Sequence, residues 1–162
     1  MYKKFLQSIL KMKSINVFKI YQKEDVETAL TIRKEVFVKE QYVPFDEEQD
    51  EFEDSSHHFL ATIDKIPCGA ARWRYTDEGI KLERFAVLSQ YRGNGIGSKL
   101  VKAVLKDIHS DKNNKNKQVY LHSQLDAVPL YLKFGFQKSG KMFDECAIMH
   151  YKMKLPSPQS FS

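Results

Sequence analysis

The chain has 162 residues, 42% of them hydrophobic, which is enough for one domain with a sizeable core and leaves no room for a second. No apolar stretch is long enough to cross a bilayer as a helix. The two cysteines, Cys68 and Cys146, form no C-x-x-C pair, so neither a metal site nor a disulfide framework is indicated and a reducing cytoplasm is the simplest home.

In chain order, residues 1–14 are basic and mildly amphipathic, with an apolar core too broken for a secretory signal. They read as a frayed extension or as sequence upstream of a true start at Met12. An organellar presequence is a poorer fit, because the segment has lysine without arginine. A strand is predicted over Val17–Tyr21 and a helix over Asp25–Gln41. An acidic run follows: seven of the nine residues from Asp46 to Asp54 are carboxylates, so the net charge of +5 leaves +12 on the rest of the chain. The run reads as a solvated loop or as a device that draws in a cationic molecule. The balancing lysines are scattered, with no arginine-rich stripe between aromatics, which argues against nucleic acid as a partner.

Strands are then predicted over His58–Asp64, Cys68–Tyr75 and Ile80–Leu88. His57 and His58 stand at a strand entrance and have no companion at metal-ligand spacing. The run Gln90-Tyr91-Arg92-Gly93-Asn94-Gly95-Ile96-Gly97-Ser98 puts three of the seven glycines within five residues. Glycine lets consecutive N–H groups aim at one point, and a helix starting there adds its positive N-terminal end, so a phosphate or diphosphate is the expected occupant. The spacing fails both G-x-G-x-x-G and G-x-x-x-x-G-K-[ST] at Ser98.

Ile96, Leu100, Ala103, Val104 and Ile108 then keep one helical face over Gly95–Ser110. A strand over Gln118–Ser123 and a helix over Asp126–Phe134 follow, with Asp126 as the expected N-cap, Pro129 in the first turn and Gly135 as the stop. Two closing strands are expected near Phe136 and over Ala147–Lys154. No internal repeat is present, and residues 155–162 read as a mobile tail. Hairpins mixed with crossover helices around one sheet define an α+β fold, with the domain over residues 15–154.

Two of these segments carry a family resemblance. Gln90-x-x-Gly93-x-Gly95 resembles the Q/R-x-x-G-x-G/A diphosphate loop of the GNAT superfamily of N-acetyltransferases. Ala127-Val128-Pro129-Leu130-Tyr131-Leu132-Lys133-Phe134-Gly135-Phe136 is similar to that family's A-x-x-F-Y-x-K-x-G-F helix. The stretch Ile32 to Pro44, with the acidic run and His58-Phe59-Leu60-Ala61, is similar to the small bacterial ElaA-like and YjcF-like branch. One departure is Ala147-Ile148-Met149-His150, where relatives tend to carry Gly-Ile-Pro-His.

The resemblance implies a sheet splayed between its two central strands, with acetyl-CoA as cosubstrate and a primary amine, small or peptidic, as acceptor in a ternary complex. No metal, nucleic acid or membrane is implied, and dimers are common among relatives. Phe85, Ala86 and Val87 would pair with the pantetheine arm as an added strand does. Arg92, Gly93, Asn94, Gly95, Ile96, Gly97 and Ser98 would hold the diphosphate, with Gln124 fixing the cofactor or the helix start. Tyr131 would protonate the departing thiolate.

An alkylamine with a pKa near ~10.4 is almost wholly protonated at neutral pH, so catalysis also needs a base. Glu83, two residues before Phe85 and hence on the same face by strand alternation, is one candidate; pairing with Arg72 or Arg74 is its structural alternative. His122 and His150 are the others. The chain could instead bind acyl-CoA without turnover, as a sensor.

Overall fold

The computed structural model describes residues 13–156, so the N-terminal extension and the C-terminal tail lie almost wholly outside the described residues. The described residues form eight strands: β1 (Ile15–Ile20), β2 (His57–Ile63), β3 (Ile66–Thr76), β4 (Gly79–Val87), β5 (Val119–Gln124), β6 (Gln137–Lys138), β7 (Phe143–Glu145) and β8 (Ile148–Leu155). They join one sheet in the order β1-β2-β3-β4-β5-β8-β6, with β7 also on β8. Every pair is antiparallel except β4 with β5. The fold is α+β, as the sequence implies, and its sheet is mostly antiparallel.

Four helices flank it: α1 (Lys23–Arg33), α2 (Phe45–Glu48), α3 (Ile96–Ser110) and α4 (Val128–Leu132). The predicted stripe on α3 is buried at Ile96, Leu100, Val104 and Ile108, with Val101 and Leu105 added and Ala103 at the margin. Burying such side chains contributes about 1.5–3 kcal/mol each, so packing fixes this helix on the sheet. Close approach needs Gly69: a Cβ there would stand 3.1 Å from both the Ala86 carbonyl oxygen and Ile96. The opposite face carries α1 and the turns that follow it, where Ala29, Ile32 and, past the end of α1, Val36 pack on Ile20, Leu60, Ala70 and Ala86.

Two expected elements differ. The helix predicted over Asp25–Gln41 is α-helical only to Arg33, and Lys34–Glu40 widens into π-helical turns closed by Gln41 N–H to Val36 O at 3.1 Å. The predicted cap at Asp126 is not made. Leu125–Ala127 forms a 3₁₀ turn, α4 begins at Val128 without a side-chain cap, and Pro129 sits in its first turn. The turn makes Ala127 the N-cap instead, one residue past Asp126, and alanine has no side-chain acceptor to offer.

Candidate active site

The parallel pairing of β4 and β5 is short. Ile80, Lys81 and Leu82 pair with Val119, Tyr120 and Leu121, after which the strands separate although β4 runs on to Val87 and β5 to Gln124. The cause lies in β4, where Arg84 adopts φ +60° and the register with β3 shifts between Ala70 and Arg72. This is a β-bulge, which bends its strand and adds a residue to one side. It also exchanges the faces of β4. Ile80 and Leu82 pack with α3 before the bulge, whereas Phe85 and Val87 do so after it. The simple count that put Glu83 and Phe85 on one face therefore fails at Arg84.

Beyond the bulge the backbone of β4 alternates between β3 and the gap. Leu88 N–H donates to Cys68 O at 2.9 Å and the Ala86 carbonyl faces Gly69, so these groups serve β3. Phe85 and Val87 thus turn their main-chain groups towards the gap, and Ala86, expected to join them, does not. Val87 O already accepts from Arg92 Nε at 3.0 Å.

At the mouth of the gap lies the glycine turn. Gly93 and Gly95 have φ of +79° and +77°, and a Cβ on either would meet nothing within 4 Å, so glycine is required for its backbone angle and the space beside it is open. Gly95 is the left-handed N-cap of α3, and no described group pairs with the N–H groups of Gly93, Asn94, Gly95, Ile96, Gly97 and Ser98. The cradle therefore fits a diphosphate by backbone geometry. Arg92 stands outside it: its guanidinium is bidentate on Glu40 at 2.6 and 2.8 Å, which ties the turn to the end of the π segment. Asn94 braces the turn, donating from Nδ2 to Tyr91 O at 2.8 Å. Gln124 donates to Gln41 Oε1 at 2.7 Å and links β5 to the same segment.

A cavity of about 340 Å³ opens from the gap, and its lining includes Leu82, Phe85, Ser123, Gln124 and Tyr131, the group His122, Glu145 and His150, and the acidic residues Asp46, Glu47 and Glu48. Tyr131 is 6% exposed, its ring edge-on to Phe85 and Phe136. Burial alone pushes its phenol above the usual range, so it holds its proton at neutral pH. That is the state an acid must start from.

Glu83 is spoken for. It accepts from Arg72 Nε at 3.0 Å and Arg74 Nε at 2.9 Å, and Lys81 lies 3.9 Å away. Burial opposes its ionisation, but Arg72, Lys81 and Arg74 outweigh it and hold the carboxyl below the usual range. An anion so neutralised is a poor base. The pairing named as the structural alternative for Glu83 is the one observed.

The two histidines flank a residue that sequence reasoning missed. His122 Nδ1 is 3.4 Å from Glu145 Oε1, and His150 Nε2 is 3.6 Å from Glu145 Oε2. The hydrogen bond from His122, in the face of opposing burial, together with nearby positive charge, lowers the Glu145 carboxyl to about 2. His150 donates from Nδ1 to Ile148 O at 2.7 Å. Glu145 ends β7 at a two-residue turn in which Cys146 and Ala147 take φ of +53° and +59°. Such a turn ordinarily announces itself with Asn-Gly, so this hairpin left no signal in the sequence.

The acidic run is no simple solvated loop. Glu48 is 1% exposed and accepts from Arg33 Nε at 2.5 Å, Glu53 accepts from Arg33 Nη2 at 2.7 Å, and Asp50 accepts from Arg72 at 2.9 and 2.6 Å and from Arg84 at 3.1 Å. Two buried arginines thus stitch the run to β3, β4 and α1. One atom is left over: Glu48 Oε2 is the single buried side-chain oxygen or nitrogen without a partner among the described residues. Leaving such an acceptor unpaired costs about 1–3 kcal/mol. Among the described residues no group of three His, Cys, Asp or Glu is arranged to hold a metal ion, and no helix is long and apolar enough to cross a membrane.

A sheet splayed at a bulge, with an unpaired N–H cradle at the mouth and a buried tyrosine on the wall, defines an acyl-CoA-dependent acyltransferase architecture. The Acetyltransferase (GNAT) domain family matches residues 17–157, and the chain belongs to that family. It is 40% identical over 131 residues to the uncharacterized N-acetyltransferase YjcF of Bacillus subtilis, covering 80% of this chain and 91% of that protein. In fold it is similar to the crystal structure of Escherichia coli ElaA, at a TM-score of 0.76 and 23% identity over 90% of this chain and 100% of that one. An acyl-CoA N-acyltransferase from Pseudomonas aeruginosa matches with the same values.

Proposed function

We propose that the chain transfers the acetyl group of acetyl-CoA directly to a primary amine within a ternary complex, and that it stands with the ElaA-like and YjcF-like acetyltransferases. The observation that carries this reading is the coincidence of the N–H cradle, the parted strands and Tyr131 around one cavity. Acetyl-CoA supplies the activated acyl group. The N–H groups of Gly93 to Ser98 bind the diphosphate, and the main chain of Phe85 and Val87 receives the pantetheine arm as an added strand would be received. The Val87 carbonyl becomes available when Arg92 releases it.

His122 takes the proton of the incoming ammonium. Glu145 holds its Nδ1–H, which leaves Nε2 with the lone pair, the arrangement by which a carboxylate orients a histidine base. The freed amine attacks the thioester carbon, a main-chain N–H of β4 stabilises the oxyanion, and the C–S bond breaks as Tyr131 O–H protonates the sulfur; the second proton lost from the nitrogen restores the phenol. Glu83 serves instead to hold the bulge through Arg72 and Arg74. In this reading the partners are the cosubstrate and a small or peptidic amine, with no part for metal, nucleic acid or membrane. The free thiols Cys68 and Cys146 suit a reducing cytoplasm, and a homodimer is compatible with it.

Initial-velocity kinetics test the proposal. Thiol release that requires both substrates, with intersecting double-reciprocal lines, supports direct transfer. Parallel lines would indicate a covalent enzyme intermediate, and binding of acetyl-CoA without release under any amine would make the chain a sensor.

A further inference from the structure

Resting on the acetyl-transfer reading above, we infer that Glu40 and Gln41, at the end of the π segment, are positioning residues for acetyl-CoA: side by side, they fix the two rims of the opening at one spacing. The need for such a device comes from the sheet. Among the described residues no backbone hydrogen bond joins β4 to β5 beyond Leu82 and Leu121, so the ladder does not set how far apart the strand ends stand. Within the gap the Phe85 and Tyr131 rings meet edge-on, a contact without a hydrogen bond to fix it.

Hydrogen bonds span the opening from outside the sheet. On the β4 rim, Glu40 accepts from both Nη atoms of Arg92 at 2.6 and 2.8 Å, and Arg92 Nε reaches back to the carbonyl of Val87, the last residue of β4, at 3.0 Å. On the β5 rim, Gln41 Oε1 accepts from Nε2 of Gln124, the last residue of β5, at 2.7 Å. Neighbouring side chains leave a helix roughly a quarter turn apart, so adjacent residues reach separate strands. Arg92, Glu40, Gln41 and Gln124 thus form one continuous link from strand end to strand end.

The middle of that link is itself held. Gln41 N–H donates to Val36 O at 3.1 Å and Val43 N–H to Phe37 O at 2.9 Å, and Val36 is buried in the core beneath α1. Between them Tyr42 takes φ +59° although its side chain is 86% exposed, so the backbone closure and not side-chain packing keeps that strained angle. Such strain, like π turns, recurs where ligands are gripped. Arg92 and Glu40 keep 44% and 41% of their side-chain surface, and ion pairs so exposed add little to stability. Their geometry matters more, because a bidentate pair fixes orientation as well as distance. The diphosphate turn and the gap are therefore set relative to each other in advance, and acetyl-CoA does not have to order them on binding.

Gln41→Met tests the inference, since Met fills the space without offering the acceptor. Calorimetric titration with acetyl-CoA should give a Kd raised about tenfold, with the KM for acetyl-CoA rising in step and the guanidinium midpoint unmoved. The same substitution should be nearly silent in a Glu40→Met background, where the link is already broken, whereas independent contacts would multiply. The amide resonances of Gly93, Gly95 and Gly97 should move in Q41M although its lost bond is to β5. Gln124→Met, which breaks that bond from the other end, should move them too. An unchanged Kd, an equal factor in both backgrounds, or glycine resonances that stay in place overturn the inference. Acetyl-CoA bound with Gln41-dependent affinity but never consumed contradicts acetyl transfer and keeps the link. Acetyl transfer with wild-type affinity in Q41M contradicts the link and keeps acetyl transfer.

Discussion

Replacing Arg72 with Met tests how the acidic segment and the bulge are held. Arg72 is 0% exposed and lies against Asp50, Glu53 and Glu83, with Nη1 2.9 Å from Glu53. Met keeps much of the volume but takes a buried cation from three carboxylates, leaving Asp50 to Arg84, Glu53 to Arg33 and Glu83 to Arg74 and Lys81. Removing one member of a buried ion pair costs about 3–5 kcal/mol, a large part of a total stability of about 5–15. Asp50 and Glu53 keep 23% and 17% of their side-chain surface, so solvent screens them, and most of the loss falls on Glu83 at 7%.

Linkage sets the pH signature. Burial resists ionisation of Asp50, but Arg72, the Phe52 N–H and Arg84 hold its pKa at about 2 against 3.8, and Glu53 and Glu83 are lowered by their arginines too. Their stabilisation is whole above the unfolded values near 4 and is lost as pH falls towards 2. The gap between wild type and R72M should thus be widest at neutral pH and close below about pH 4. Guanidinium unfolding followed through Trp73, the single tryptophan, reads it, with the midpoint shifted and the slope unchanged. Part of the loss should return in R72M/E83Q. A loss under about 1 kcal/mol, or a gap constant from pH 7 to pH 3, would refute this account.

Tyr131→Phe should lower kcat by about a hundredfold or more while acetyl-CoA affinity stays within about twofold, because only the hydroxyl proton is lost; unchanged kcat removes its role as acid. His122→Gln should lower kcat/KM by about a hundredfold or more, whereas an undiminished value would remove His122 as the base. Gly95→Ala should destabilise the chain by about 1–2 kcal/mol through its left-handed φ and raise the KM for acetyl-CoA. A silent substitution there would deny the turn its special backbone.

The parts of the site that are local in sequence were legible in it. The glycine turn, the stripe from Ile96 to Ile108 and the Ala127–Phe136 motif each lie within one continuous segment, so spacing reveals them. The missing parts depend on contacts between distant segments. Arg84 and Cys146 take left-handed angles without glycine, and nothing in their neighbours marks a bulge or a tight hairpin. Glu145 meets His122 only because β5 and β7 both pair with β8. Arg33 and Arg72 find the acidic run 15 to 22 residues away, a partnership that composition records only as charge. The failure at Glu83 has the same origin, since period-two counting holds only while the strand is regular.

A crystal structure of the chain with acetyl-CoA tests the central claim most directly. The account predicts diphosphate oxygens within hydrogen-bond reach of the N–H groups of Gly93 to Ser98, and the thioester between Phe85 and Ser123 with its sulfur at the Tyr131 hydroxyl. A diphosphate seated elsewhere, or a thioester outside the opening between β4 and β5, would contradict it.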